Sequence, residues 1–434
     1  MFRSLALTGT VLVLLPWMAR FPQAGMLVWV WLSVMNPHQL VWGFAAGFGF
    51  SFWVGLVTLA AWLLSREPKL PTPGAVSALM ILFTLWLVVA QLAALQPDFS
   101  FPYFDRSLRM LVLALLALAL LTTKARLHAL VWVYVLCIAF FSVKGGAFTL
   151  LTGGQYRVYG PDNSMIDDNN HLGLVMVSVV PLIHYLWQHS GQRWVRLGLM
   201  GTLVLTVLCV LGTYSRGAFI AGGVMLVMFW WRSRAKLQTA ALALAAAVPA
   251  WFFMPQRYYE RIASIGQAGE DTSFMDRVGM WELCWNIALG RPLTGAGPRG
   301  HYVQWIADHF MADPPVARAA HSVYFELLGS MGFPGLLLFL ALCWASWRAC
   351  AVVMRQCRDR PGLRWARDLA AMNQAGMAGF LVGGAALSME FWPGVWLQFA
   401  LAGALRAVVA RHLAGQAAVA RPAWRPRRVM ATGA

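Results

Sequence analysis

The sequence predicts an all-α membrane protein that crosses the bilayer many times, and composition and hydropathy are the observations that predict this fold class. Of the 434 residues, 59% are hydrophobic and only 12% are charged, whereas about a quarter of a soluble domain is usually charged. Apolar runs of about 20 residues, the length that crosses a bilayer, recur along the chain. These properties disfavour a soluble enzyme and predict a single transmembrane domain over residues 1–434.

The apolar runs predict eleven spans and a further apolar segment before them. The spans lie at roughly 42–64, 74–95, 107–122, 126–151, 169–189, 194–212, 214–231, 236–253, 321–354, 368–388 and 392–410. In the first segment, two apolar pieces flank Arg20-Phe21-Pro22, and together they exceed one straight span. A broken or partly re-entrant helix is therefore predicted there, which gives about twelve crossings in all.

Basic residues are concentrated in alternate loops, and such loops usually face the cytoplasm. These loops contain Arg66 and Lys69, Lys124 and Arg126, Arg193 and Arg196, Arg232 to Lys236, and Arg355 to Arg367. The net charge of +17 then reflects membrane orientation, and no nucleic-acid partner is expected. Both termini, including a basic tail at 413–434, are predicted to be cytoplasmic. The long polar stretch 254–320, the stretch 152–170 and a loop at 97–106 are predicted on the opposite face.

The polar stretch 254–320 contains several arginines but no lysine. An arginine side chain stays charged and can bind phosphate oxygens at two places, so the set suggests a diphosphate ligand. For any single one of them, pairing with a nearby Asp or Glu is the simpler explanation. The arginines are Arg257, Arg261, Arg277, Arg291, Arg299 and Arg318.

Three other charged or titratable residues stand at informative positions. Arg216 lies where one apolar run turns into the next, and a charge there usually faces a cavity, a partner or a substrate. Lys144 lies within an apolar run, where a lysine can also extend to the membrane surface. His321 lies where the polar stretch enters a long span, and its imidazole can accept a proton near neutral pH. A lone histidine at a helix start is more often structural.

Two other kinds of site are disfavoured, and neither a metal nor a cofactor is expected. No HExxH motif occurs, and the available residues match no spacing of metal ligands. They are His301, Asp308, His309, Asp313 and His321. The stretch from Gly295 to Gly300 matches GxGxxG but lacks the strand and helix of a dinucleotide site. Its glycines are expected to form a turn that brings Arg299 near the membrane surface.

Several short motifs together resemble the superfamily of O-antigen ligases and O-antigen polymerases of bacterial inner membranes. They are Tyr214-Ser215-Arg216-Gly217, Asp276-Arg277 followed by Trp281, Gly295-Ala296-Gly297, and His321 followed by Gly329 and Gly332. A second set is similar to a branch of O-glycosylation ligases found in exosortase-bearing bacteria. It consists of Lys144-Gly145-Gly146, Gly153-Gly154, Gly160-Pro161 and Asp168-Asn169-Asn170.

The resemblance implies a GT-C-like membrane glycosyltransferase with a large helical periplasmic loop. Its donor would be a glycan linked to undecaprenyl diphosphate, and it would need no metal or nucleotide. In that family the residues matching Arg216, Arg277 and His321 are functional. We expect the two arginines to hold the diphosphate and His321 to act on the acceptor hydroxyl. Glu390 is an approximate counterpart of a family carboxylate. The remaining candidates for binding diphosphate or substrate are Arg299, Lys144, Arg157 and Tyr214.

The main functional prediction is transfer of the glycan, with inversion, to a sugar of the lipid A-core at the periplasmic face of the inner membrane. Within the same superfamily, the acceptor could instead be a growing glycan, as in a polymerase, or a protein side chain, as in an oligosaccharyltransferase. A membrane transporter or flippase is the alternative from another class, because Arg216 and Lys144 could line a pathway. The long arginine-bearing loop disfavours it, and matching broken helices are not evident.

Overall fold

The computed structural model describes residues 1–232, 236–237, 253–263 and 272–420, and within these ranges it contains helices and no strand. The first eight α-helices are α1 Phe2–Arg20, α2 Pro22–Met35, α3 Phe44–Gly47, α4 Phe50–Leu64, α5 Ala75–Leu92, α6 Pro97–Leu120, α7 Lys124–Leu151 and α8 Asn169–His189. The others are α9 Arg193–Gly212, α10 Arg216–Arg232, α11 Gln256–Ala263, α12 Thr272–Gly290, α13 Gln304–Phe310, α14 Val323–Gln356, α15 Arg364–Gly383 and α16 Pro393–Ala420.

Seven helices of the described ranges are long and apolar enough to cross a membrane. They are α1, α5, α7, α8, α9, α14 and the part of α16 that ends at Gln416. Helices α2, α4 and α10 are apolar but shorter. The prediction of an all-α polytopic membrane protein is confirmed at this level, while twelve crossings and a GT-C-like arrangement stay predictions. The predicted span 236–253 and the tail beyond Ala420 lie almost entirely outside the described residues.

Two sequence predictions about helix boundaries have different outcomes. The break at Arg20-Phe21-Pro22 is confirmed, because Phe21 is extended, with φ −126° and ψ 95°, between α1 and α2. The predicted loop at 97–106 is wrong, because these residues form the first turns of α6. Pro97 stands at the start of this helix, where a missing N–H group costs no hydrogen bond. The correction places Tyr103 and Arg106 on a regular helix.

Helix α14 is bent within its length. Its 34 residues are more than one crossing needs at about 1.5 Å per residue. Gly332 interrupts the helix with φ 65° and ψ −169°, and the N–H of Phe333 donates to the carbonyl of Pro292 at 2.9 Å. A Cβ atom at Gly332 would lie 2.5 Å from that carbonyl oxygen. The first turns of α14 therefore pack against the segment that contains α12 and α13.

The basic connections predicted to share one side of the membrane contact one another. Arg126 at the start of α7 pairs with Glu67 of the α4–α5 connection at 2.6 Å. His189 at the end of α8 lies 3.1 Å from Asp368 in the first turns of α15. One pair places the α4–α5 connection beside the start of α7, and the other places the end of α8 beside the start of α15, as the loop charges predicted. The cytoplasmic location of this end stays a prediction.

Two glycines let α7 and α9 approach closely. A Cβ atom at Gly146 would lie 2.1 Å from the carbonyl oxygen of Leu205, and one at Gly145 would lie 2.5 Å from the Cys209 sulfur. Helices in membranes pack closest where small residues meet. The glycines of the motif that begins at Lys144 therefore serve helix packing, and Lys144 itself lies on the exposed side of α7.

Candidate active site

Helices α8 and α10 begin at the same end of the bundle, and side chains at the start of α8 join them. The Asp168 carboxylate caps α8 by accepting the N–H groups of Asn170 and His171 at 2.8 and 3.4 Å. The Asn169 side chain donates to the carbonyl oxygen of Thr213 at 2.6 Å, in the turn that precedes α10. The polar motif before α8 therefore sets the position of the turn that leads into α10.

Tyr214 occupies the left-handed region in this turn, with φ 56°. Its side chain is 3% exposed, and its hydroxyl donates to the carbonyl of Gly154 at 2.5 Å. The next residue, Ser215, caps α10 by accepting the N–H of Ala218 at 3.2 Å. The ring and hydroxyl of Tyr214 thus stabilise the fold. The turn makes Arg216 the first residue of α10.

Arg216 and Arg277 line one cleft, which we call the basic cleft. It has an empty volume of about 300 Å³ and is lined by Asn170, Arg216, Gly217, Arg277, Ala386 and Leu387. The starts of α8 and α10 both face this cleft, and the start of a helix carries partial positive charge. Because the Asp168 carboxylate already caps α8, the two guanidinium groups and the start of α10 are the features that favour an anion in the basic cleft.

Helix α12 brings Arg277 to the cleft because its next turn is tied to the segment before His321. The Trp281 indole N–H donates to the carbonyl of Ala320 at 2.7 Å, and its ring stacks on Phe325 with centroids 5.2 Å apart. Arg277 donates to the carbonyl of Ala386 at 3.4 Å. Because residues four apart lie on one helix face, Trp281 fixes the face that carries Arg277.

His321 is held by its backbone beside the basic cleft. It has φ 49°, and its N–H donates to the Ser388 hydroxyl at 2.9 Å. Burial lowers the pKa of the His321 imidazole, and the charges of Arg277 and His171 lower it further. Its Nδ1 atom is buried and has no hydrogen-bond partner in the described residues. A neutral imidazole with an available nitrogen has the properties of a general base.

Glu326 is the buried centre of the network around this backbone. It accepts hydrogen bonds from the Tyr302 hydroxyl at 3.0 Å, from the Ala320 N–H at 2.9 Å and from the Ser388 hydroxyl, and it pairs with His301 at 2.9 Å. Sequence analysis missed this residue. An acidic side chain at the start of a long apolar helix is costly unless it is paired, and that position could have indicated it.

The structure shows the surroundings of two histidines, His301 and His171. His301, considered above as a metal ligand, is fully buried against Glu326. Within the part of the chain that the structure describes, no three His, Cys, Asp or Glu side chains are grouped to hold a metal ion. His171 was missed: it lies in the first turn of α8, and both ring nitrogens are buried without a partner in the described residues.

A second cleft, which we call the tyrosine cleft, contains Arg299 and Glu390. It has an empty volume of about 440 Å³, and its walls include Tyr103, Arg106, Met165, Arg299, Glu390 and Phe391. The Arg299 guanidinium lies 4.5 Å from the centre of the Tyr103 ring and 5.0 Å from that of Tyr302. The Glu390 side chain is 5% exposed, and its Oε2 atom has no partner among the described residues. Arg106 was missed because residues 97–106 were predicted to be a loop.

The glycine-rich stretch forms the expected turn. Gly295 and Gly297 have φ 59° and 91°, and a Cβ atom at Gly297 would lie 2.3 Å from that of Ala94. The N–H of Arg299 donates to the Ser330 hydroxyl at 3.1 Å, which docks the turn on α14. Helix α12 precedes this turn, in contrast to the strand that precedes a dinucleotide-binding turn. The turn therefore serves to deliver Arg299 to the tyrosine cleft.

The remaining predicted binding residues line neither cleft. Lys144 is exposed on α7, and Arg157 is exposed with its guanidinium 5.9 Å from the centre of the Tyr214 ring. Arg257 of α11 lies at the same distance from that ring and contacts Gln155 at 3.4 Å. The Tyr214 ring therefore lies near two surface arginines and does not line the basic cleft.

Other arginines of the predicted polar stretch serve the fold. Arg291 donates to the carbonyl oxygens of Gly295 and Ala93 at 2.7 and 2.6 Å. Arg318 pairs with Asp276 at 2.6 Å. The side chain of Arg261 lies outside the described part of the chain. Pairing with an acidic residue therefore explains Arg318, and Arg291 stabilises the turn through carbonyl oxygens, whereas Arg277 and Arg299 line clefts.

Two family models match different parts of the chain. Residues 201–340 match the family described as O-Antigen ligase, and residues 2–191 match a family of unknown function (DUF5935). No curated protein matches the chain. The first match includes Arg216, Arg277 and His321. His171 lies in the second match, and Glu390 lies outside both.

Proposed function

Because this chain belongs to the superfamily of O-antigen ligases and O-antigen polymerases, we propose that it is an O-antigen ligase. It transfers a glycan from undecaprenyl diphosphate to a sugar of the lipid A-core at the periplasmic face of the bacterial inner membrane. The observation that carries the proposal is that Arg216 and Arg277 line one cleft and that the charge of Arg277 acts on the nearby imidazole of His321. Each of these residues has a separate task in glycosyl transfer.

The diphosphate of the donor occupies the basic cleft. During transfer, the bond between the anomeric carbon and the phosphate oxygen breaks, and its electron pair goes to the diphosphate. Arg216 and Arg277, with the start of α10, stabilise this growing negative charge. The undecaprenyl chain lies between helices in the membrane. Because the arginines supply positive charge at the leaving group, the proposed reaction is independent of a metal ion.

His321 acts on the acceptor. Its neutral imidazole accepts the proton of the acceptor hydroxyl while the hydroxyl oxygen forms a bond to the anomeric carbon. The lowered pKa of His321 supports this role, because the imidazole stays neutral at physiological pH. Attack from the face opposite the diphosphate inverts the anomeric configuration.

A deletion strain tests this function in the cell. We expect it to accumulate lipid-linked glycan at the periplasmic face and to lack long-chain lipopolysaccharide, with both defects reversed by the wild-type gene. Unchanged lipopolysaccharide bands on a gel would contradict ligation to the lipid A-core. Loss of a glycosylated protein would instead indicate an oligosaccharyltransferase, and loss of chain growth would indicate a polymerase. Glycan that stays inaccessible to a glycosidase added to spheroplasts would indicate a flippase.

A further inference from the structure

We infer that the tyrosine cleft binds the acceptor, and that it recognises an anionic group, a phosphate or a carboxylate, on the acceptor sugar. The inference rests on the proposed function, because it assumes that the donor diphosphate occupies the basic cleft. It adds an acceptor site with a stated chemistry, and it gives Arg299 and Arg106 a task different from that of the other arginines.

The connection between α15 and α16 runs along both clefts. Ala386 lines the basic cleft and Glu390 lines the tyrosine cleft. Between them, Ser388 accepts the backbone N–H of His321. A single short segment therefore has the basic cleft at one end, the tyrosine cleft at the other, and the anchor of His321 in the middle.

The segment that leads into α8 also borders both clefts. Met165 lines the tyrosine cleft and Asn170 lines the basic cleft. His171 follows, within electrostatic range of both His321 and Arg299. Both segments thus border the two clefts, and the α15–α16 connection places the anchor of His321 between them.

Inverting transfer requires this kind of arrangement. The acceptor hydroxyl must approach the anomeric carbon from the side opposite the leaving diphosphate, with its proton within reach of the base. With the diphosphate in the basic cleft and His321 beside it, the acceptor arrives from the far side of His321. The tyrosine cleft lies next to the anchor of His321, because its lining residue Glu390 is two residues from Ser388.

The charges of the tyrosine cleft favour an anion. Arg106 and Arg299 line the cleft with one carboxyl group, that of Glu390. Outside the lining, Asp167 lies within electrostatic range of Arg106, and Glu326, which is paired with His301, lies within range of Arg299. The nearest acidic neighbour of Arg106 on α6, Asp105, is paired with Arg109 instead. The Arg299 side chain is held between two tyrosine rings, so its planar group is oriented before a ligand binds. Arginine groups in this state bind a phosphate or carboxylate in two places.

Glu390 supplies the second part of the recognition. Glu390 lines the cleft, and its buried Oε2 atom has no partner in the described residues. A buried polar atom without a partner is costly, and a sugar hydroxyl would satisfy it. Burial, followed by the charge of Glu326, raises the pKa of Glu390. A carboxyl group that is partly protonated reduces the positive charge of the cleft less than an ionised one does.

The test is steady-state transfer by the full-length protein in lipid nanodiscs, with isolated lipid-linked glycan as donor and lipid A-core oligosaccharide as acceptor. Three acceptor preparations are compared: intact, phosphatase-treated, and with carboxylates methyl-esterified. The variants are Arg299→Gln and Arg106→Gln. Arg109→Gln is the matched control, because Arg109 lies one turn from Arg106 on α6 but does not line the cleft.

We expect each cleft variant to raise the acceptor KM by about 10-fold or more, the scale of one charge-assisted hydrogen bond, and to leave the donor KM unchanged. Removing the recognised group from the acceptor should raise KM for the wild type by a similar factor and should have little further effect in Arg299→Gln. The phosphatase and esterification arms identify which group is recognised. Arg109→Gln should resemble the wild type with every acceptor.

Two results would overturn the inference while leaving the function intact. In one, the cleft variants raise the donor KM, which would assign the tyrosine cleft to the donor glycan. In the other, intact, dephosphorylated and esterified acceptors have equal KM values with the wild type. If the wild type transfers glycan to none of the acceptors, the proposed function itself fails, and the acceptor site fails with it. If Arg299→Gln does not elute as a single folded species, Arg106→Gln still tests the inference.

Discussion

The Ser388 hydroxyl accepts the backbone N–H of His321 at 2.9 Å. The same hydroxyl donates to the buried carboxylate of Glu326. His321 has φ 49°, a left-handed conformation that is uncommon for residues other than glycine and is kept only where the surroundings impose it. Ser388 is therefore a positioning residue for the histidine, and a serine in the α15–α16 connection controls a side chain at the start of α14.

Ser388→Ala should lower kcat by about 10-fold, because loss of one hydrogen bond to a charged network costs about 1.5 kcal/mol or more. Donor affinity should stay unchanged, since Ser388 does not line the basic cleft. Ser388→Thr keeps the hydroxyl and should restore much of the rate. Ser346→Ala is the control, because Ser346 is also buried and its hydroxyl has no partner in the described residues. Equal kcat values for Ser388→Ala and the wild type would contradict the positioning role.

Arg216→Lys and Arg277→Lys should each reduce single-turnover transfer by about 100-fold or more, the scale for removing one donor to a developing charge. Lysine keeps the charge but cannot bind the diphosphate at two places. Arg318→Lys is the control, because Arg318 pairs with Asp276 and does not line the basic cleft. Wild-type rates in either cleft variant would show that the geometry of the guanidinium group is not needed.

The pH dependence of transfer should reflect the lowered pKa of His321. Burial, Arg277 and His171 lower this pKa, while Glu326 and Asp168 oppose the shift. Because the base is active when neutral, transfer should fall only below the ordinary histidine pKa of about 6.5. Arg277→Gln removes a positive charge and should raise the pKa, so its acidic limb should move to higher pH even though the rate is lower. Coinciding acidic limbs would contradict this account.

Transfer should persist when a chelator is added to the purified protein, because Arg216 and Arg277 supply the positive charge at the leaving diphosphate. The measurement compares transfer rates before and after dialysis against EDTA. Loss of activity that one divalent metal restores would show that the arginines do not suffice.

The sequence predicted features whose residues are energetically unfavourable at their positions. Arg216 stands at the boundary of two apolar runs, and the break at Phe21 lies between Arg20 and Pro22. Both features can be recognised from neighbouring residues in the sequence. Residues 97–106 were predicted to be a loop, whereas they form the first turns of α6, and a proline at the first position of a helix is favourable. Because of this error, Arg106 was not predicted as a binding residue.

Other parts of the site depend on contacts between distant segments. Glu326 is important because Tyr302, Ala320 and Ser388 converge on it, and no local pattern reports such convergence. The division into two clefts has the same origin, since the α15–α16 connection borders both of them. The orientation in the membrane, by contrast, follows from loop charges and stays a prediction.

The most direct test of the mechanism measures donor binding beside single-turnover transfer for His321→Ala and Arg216→Lys, with His309→Ala as a control from the same polar stretch. Each protein should elute as a monodisperse peak. The account predicts that His321→Ala binds the donor almost as the wild type does and transfers it about 100-fold more slowly or worse, as expected for a lost general base. Arg216→Lys should be impaired in turnover, and His309→Ala should match the wild type. Loss of donor binding in His321→Ala together with wild-type transfer by Arg216→Lys would contradict the proposed roles.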